Sequence, residues 1–162
     1  AAPSTAQDRL SLDDAAKTQL IAAPKLREGG PDLAALGQRP VLVTFFASWC
    51  PPCAAEFAQL AQFITDEGET EVDIIAVNWI ESLTGRSNAR LARMIGRIHP
   101  SIAVIEGTDA LDDRFGGVFS VPAVYLFDTS GNEVSRLGGD RGAHGRHFLR
   151  KEQLKAALGK IG

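Results

Sequence analysis

Cys50 and Cys53 are the only cysteines in a chain of 162 residues, and they lie in the run Trp49-Cys50-Pro51-Pro52-Cys53. A disulfide between them closes a very small ring and staples almost none of the chain, so structural cross-linking explains them poorly. Two thiols at this spacing, between a strand and a helix, suit reversible thiol–disulfide exchange. Other uses of the pair stay open. A zinc site needs two further ligands, and the imidazoles present are His99, His144 and His147. A thiol pair that handles copper is also compatible with the spacing.

Exchange chemistry makes demands on the surrounding elements. Val41-Leu42-Val43-Thr44-Phe45-Phe46 is an apolar, β-branched and aromatic run that reads as a strand buried on both faces. After the cysteines, Phe57, Leu60, Ala61 and Ile64 fall on one face of a helix. The strand–CPPC–helix order places Cys50 at a helix N-terminus, where free N–H groups and the helix dipole favour a thiolate. Pro51 and Pro52 lack donors that a first turn leaves unpaired anyway. Because a proline disfavours the α region for the residue before it, the regular helix is expected to start near Pro52. Cys53 then sits one turn in and less exposed. In this division of labour Cys50 attacks a substrate disulfide and Cys53 resolves the mixed disulfide.

The remaining elements follow from pattern. A short helix is expected from Ser11, as its cap, to about Ala22. Pro24 and Gly29-Gly30-Pro31 then break the chain, and 24–40 reads as loop and short strand. Val72 to Val77 is a second buried strand. Leu91, Met94, Ile95 and Ile98 mark a helix ended by Pro100. Ile102 to Ile105 is a short strand, and Asp109 to Phe115 a short helix stopped by Gly116-Gly117. Val121 to Phe127 and Glu133 to Leu137 form a hairpin, and Arg150 to Leu158 a last helix. Strands alternating with helices and ending in a hairpin imply an α/β fold with a central mixed sheet flanked by helices.

A composition of 44% hydrophobic and 23% charged residues, with net charge -3, fits a globular domain and gives no pointer to nucleic acid. No apolar run is long enough to span a membrane. The chain begins at Ala1 without Met, which fits an exported protein that has lost a signal peptide or anchor, and equally a truncated start. Residues 1–23 read as an N-terminal extension with a short helix, and 24–162 as one domain.

The segment Phe46-Ala47-Ser48-Trp49-Cys50-Pro51-Pro52-Cys53, followed by Glu56, resembles the active site of thioredoxin-fold proteins. It is most similar to the TlpA/ResA/CcmG group of bacterial envelope thiol–disulfide oxidoreductases. The resemblance implies a thioredoxin-like fold from about residue 24 to 160. It also implies that Pro122, in Ser120-Val121-Pro122-Ala123, is a cis-proline facing the cysteines, and that Val121 offers its backbone to a substrate strand. Thioredoxin has a buried aspartate in the strand before its cysteines. That place looks like Thr44 here, so the buried acid is expected to be missing, with Glu81 as its replacement near the dithiol, where it could take the proton of Cys53 during resolution. By the same resemblance Trp49 shields the site and packs against a partner. Trp79 is a departure from relatives with a smaller residue there, and is expected to reshape the substrate groove.

The implied function is reduction of disulfides in exported client proteins, in cytochrome c maturation or copper-site assembly. The Cys50/Cys53 dithiol would be re-reduced by a membrane electron donor in the periplasm. No cofactor or metal is expected. An oxidase or isomerase uses the same residues, and sequence does not set the direction. A copper chaperone would need His144 or His147 to reach the site, whereas the Gly-rich run around them reads as a surface loop. Ala47 stands where a peroxidase on this fold usually has threonine. His99 is expected to meet a helix dipole. The series Arg86, Arg90, Arg93, Arg97 has helical spacing and reads as a solvated face.

Overall fold

The computed structural model describes residues 9–81, 88–138 and 148–161. Five strands, β1 (Val41–Phe46), β2 (Asp73–Asn78), β3 (Ala103–Glu106), β4 (Ala123–Phe127) and β5 (Glu133–Gly138), make one sheet in the order β3-β2-β1-β4-β5. β1 pairs in parallel with β2, and β2 with β3. The β1–β4 and β4–β5 pairs are antiparallel. The helices are α1 (Asp14–Ala22), α2 (Pro51–Glu67), α3 (Asn88–Gly96), α4 (Asp109–Arg114) and α5 (Lys151–Gly159). This is the thioredoxin-like arrangement, a mixed sheet flanked by helices.

Central β1 is buried at every residue, which accounts for its unbroken apolar run. Phe45 reaches Phe115 at 5.1 Å and Tyr125 at 6.0 Å between ring centroids, tying β1 to the end of α4 and to β4. Phe46 packs edge-on against Phe57 of α2 at 5.1 Å. The strand that leads into the cysteines and the helix that leaves them are thus locked together. Ala16 and Leu20 bring α1 into the same core.

Several boundaries differ from the sequence expectation. The cap of α1 is Asp13, not Ser11. The Asp13 carboxylate accepts the Ala16 N–H at 2.8 Å, while Ser11 is drawn into a bridge with Asn132. Helix α2 starts at Pro51 rather than Pro52. The Cys50 carbonyl takes the N–H groups of Cys53 (3.1 Å) and Ala54 (3.3 Å), and this closes the first turn around both prolines. No strand forms between 24 and 40; Lys25 makes a single bridge to Ile105, and Leu33–Ala35 is a 3-10 turn. His99 does not meet a helix dipole through its ring. Its Nδ1 accepts the Ser101 N–H at 3.1 Å.

The dipole end of α3 is served from elsewhere. The Arg27 guanidinium donates to the carbonyls of Ile95 (3.1 Å), Ile98 (2.7 Å), His99 (2.6 Å) and Ile102 (2.6 Å). A cation at this end satisfies orphan carbonyls and opposes their partial charge. Arg27 therefore fixes where α3 lies against the sheet.

Candidate functional site

The site forms where parallel β1 and β2 end side by side, so the loops leaving both strands meet. Cys50 is the cap of α2, in extended conformation, and its Sγ accepts the Cys53 N–H at 3.2 Å. That bond aims a helix-terminal donor at the sulfur, as a thiolate would require. Cys50 and Cys53 are joined in a disulfide with their Cα atoms 5.3 Å apart. Cys50 is 3% exposed and Cys53 fully buried. Across from them, the Val121–Pro122 peptide bond is cis, and the Val121 carbonyl oxygen lies 3.7 Å from Cys50 Sγ. The chain just before β4 therefore faces the reactive sulfur.

A second layer sits behind the cysteines. Glu56 lies one turn beyond Cys53 on α2 and is completely buried. Thr44 of β1 donates its hydroxyl to Glu56 Oε2 at 2.5 Å, and the Leu149 N–H donates to Oε1 at 3.1 Å. Burial pushes the Glu56 carboxyl up to about 7, against the opposing pull of those two hydrogen bonds. The expectation that the buried acid is missing is thus corrected. A buried acid is present on α2, and Thr44, in the strand position, holds it.

Residues 29–142 match the Redoxin family. The chain belongs to that family. This redoxin is 30% identical over 97 residues to the thiol:disulfide interchange protein DsbE of Pseudomonas aeruginosa, covering 57% of this chain and 47% of that one. It is 31% identical over 98 residues to the thiol:disulfide interchange protein HelX of Rhodobacter capsulatus, covering 60% and 51%. The chain spans about half the length of the curated relatives it matches. Among solved structures, the redoxin fold superimposes with TM-score 0.62 on a secreted Mycobacterium tuberculosis disulfide oxidoreductase homologous to DsbE. That pair shares 18% identity, over 85% of this chain and 93% of the other. StoA from Bacillus subtilis gives TM-score 0.61 at 18% identity, over 83% and 92%.

The other expected residues of this redoxin gather around the disulfide in different ways. Glu81 reaches the site through the loop before Cys50. Its Oε2 accepts the Ser48 N–H at 2.9 Å and Asn78 Nδ2 at 2.8 Å, and its Oε1 accepts the Ser48 hydroxyl. Ile80 makes this possible by turning the chain with φ 61°, a strained conformation for a β-branched residue. The Ile80 carbonyl also takes the Trp49 indole N–H at 3.2 Å. Trp49 is half-buried against the end of β2. The Trp79 indole N–H donates to the Val118 carbonyl at 2.9 Å, which ties it to the chain approaching Pro122. A Cβ on Gly107 would come within 2.5 Å of the Trp79 ring, so only glycine leaves room for it.

His144, His147, Arg86 and the residues just after Glu81 lie outside the described residues. Among the described residues, no helix is long and apolar enough to cross a membrane.

Sequence reasoning passed over Glu56, Thr44 and Ser48 as working residues. A signal for Glu56 existed: it shares the helix face of Cys53, Phe57 and Leu60, where a carboxylate is costly unless it is used. Ser48 carried none, because its importance depends on where Glu81 ends up.

Proposed function

We propose that this chain is a thiol–disulfide oxidoreductase that reduces disulfides of exported client proteins through Cys50 and Cys53. The observation that supports it most is the cysteine pair itself. It sits at the start of α2 with the Cys53 N–H on Cys50 Sγ, opposite the backbone of Val121 and the cis-proline Pro122.

In the reduced protein, the Cys50 thiolate attacks one sulfur of the client disulfide. The client S–S bond breaks, a Cys50–client disulfide forms, and the first client thiolate leaves and takes a proton from solvent. Cys53 then gives its proton to Glu56, whose elevated pKa suits it to exchange protons near neutrality. The Cys53 thiolate attacks Cys50 Sγ and the second client thiolate leaves. Two electrons have passed to the client, and the protein is left in the disulfide state seen here. A membrane electron-donor dithiol returns two electrons by the reverse exchange.

Trp49, Trp79, Pro51, Pro52, Val121 and Pro122 line the place where a client strand would lie, with Val121 offering backbone groups. Glu81 is read as the residue that holds Ser48, and with it the approach to Cys50. The periplasm is the compartment this reading implies, with cytochrome c maturation or copper-site assembly as the client pathway.

Equilibration of the Cys50/Cys53 couple with glutathione and dithiothreitol tests the direction. The expected potential is near thioredoxin's, about -270 mV; a value near about -120 mV would make the protein an oxidant and overturn the reductive direction. Cys53→Ser should accumulate a Cys50-linked mixed disulfide with a model client. If none forms, the exchange reading itself fails.

A further inference from the structure

The arginines of α3 and of the turn just after it are not used by the exchange chemistry described above. Arg90, Arg93 and Arg97 line one side of a cavity of about 280 Å³ whose other side includes Trp49, Cys50 and Pro51. Among the described residues, no Asp or Glu lines it. The reactive cysteine therefore opens onto a cationic wall, in a chain whose net charge is -3.

Helix stability accounts for this wall only in part. Like charges three and four residues apart on one face repel. From Asn88 to Gly96, α3 contains no acidic residue of its own. Arg93 sits in the last turn of α3, where a cation suits the helix dipole, although Arg27 already donates to the Ile95 carbonyl of that turn and to three carbonyls beyond the helix. Among the described residues, neither Arg93 nor Arg97 takes part in an ion pair.

We propose that this wall selects substrates: the disulfide cysteine presented to Cys50 lies in an acidic polypeptide segment, whose carboxylates seat against Arg93 and Arg97. The proposal rests on the exchange reading of Cys50 and Cys53, and it names the substrate class of that site. A polypeptide fits better than a small acidic disulfide. The Val121 backbone beside cis Pro122 faces Cys50, so a polypeptide segment can lie along it while its side chains enter the cavity. Charge also gives the preference its reach. A local cationic patch on an anionic surface draws an acidic segment to one spot and orients it there.

The test uses the reduced protein and three short peptides. Each carries one cysteine in a disulfide with neutral 4-thiopyridine, flanked by Asp-Asp, Ala-Ala or Lys-Lys. Release of the thiopyridine gives the rate. No reaction with the Ala-Ala peptide would bring down the exchange reading rather than this one. At low ionic strength the Asp-Asp peptide should outpace the Lys-Lys peptide by about tenfold or more. At about 1 M salt, where the Debye length is about 3 Å, the ratio should fall towards one. The double variant Arg93→Glu/Arg97→Glu, at two exposed positions, should invert the ratio. Taking the ratio within each protein cancels any common change in Cys50 reactivity. A wild-type ratio near one at low salt, or a ratio unmoved by the double variant, overturns the proposal. So does glutathione disulfide reacting faster than the Asp-Asp peptide, since that would make the occupant a small molecule.

Discussion

Glu56→Gln is the substitution whose consequences can be worked furthest. The Glu56 carboxyl titrates near 7 in the folded protein, against an ordinary value of 4.5, and is fully buried, so solvent does not screen the effect. The folded state therefore holds this proton more tightly than the unfolded chain does. Its contribution to stability is complete below about 4.5 and is lost as pH rises through 7. The gap corresponds to about 3 kcal/mol at 1.36 kcal/mol per pKa unit. Glutamine keeps an acceptor for the Leu149 N–H and never ionises. Urea unfolding of the oxidised wild type and Glu56→Gln, from about pH 5 to about pH 8.5, gives the difference between their stabilities, in which other titrations cancel. That difference should move in favour of Glu56→Gln by about 2.5 kcal/mol across the range, somewhat less than the full gap because the unfolded carboxyl is already partly ionised at about pH 5. Thr44→Val removes the hydroxyl that holds the charged form, and should shift the transition to higher pH. A difference curve that stays flat would show that Glu56 does not titrate in this window, and its place as proton acceptor for Cys53 would fall with it.

Three further outcomes are expected. Arg27→Met leaves the Ile95 carbonyl of α3 and the carbonyls of the turn that follows it without their donor, and should lower stability by about 2 kcal/mol or more in denaturant unfolding. Unchanged stability would mean that water replaces the guanidinium at no cost. Glu81→Ala releases Ser48 and should slow exchange with a neutral disulfide by about tenfold, or about 1.4 kcal/mol in the barrier, while the pH titration of Cys53 stays in place. A shifted titration would instead bring Glu81 into the proton relay. Phe119, 62% exposed three residues before cis Pro122, should serve as an apolar anchor for clients. Phe119→Ser is expected to lower kcat/KM for a protein disulfide but not for 2-hydroxyethyl disulfide; equal loss on both would point to a disturbed fold.

The central strand, the helix after the cysteines and the hairpin were legible because each depends on a short-range pattern. The Val41–Phe46 run has the unbroken apolar character of a strand buried on both faces, and Phe57, Leu60 and Ile64 repeat at helical period. Helix starts were less legible. Asp13 and Ser11 are both good caps, and the choice between them turned on Asn132, which lies far along the chain and captures Ser11.

By itself, the sequence determined that the chain carries an α/β fold and a Cys-x-x-Cys pair at a strand-to-helix junction. Both are written in residues close together, where spacing alone dictates which groups share a face or a turn. Only the tertiary structure decided which acid stands behind the cysteines and what the arginines face. Glu56 gains its partner Thr44 and its burial from the packing of α2 on β1. Glu81 is committed to Ser48 by the crossing of two loops. The Arg90, Arg93 and Arg97 series is a helix face in sequence and a wall beside Cys50 in space. Contacts of this kind join residues tens of positions apart, and a residue's type sets what it can do but not which neighbour the fold brings to it.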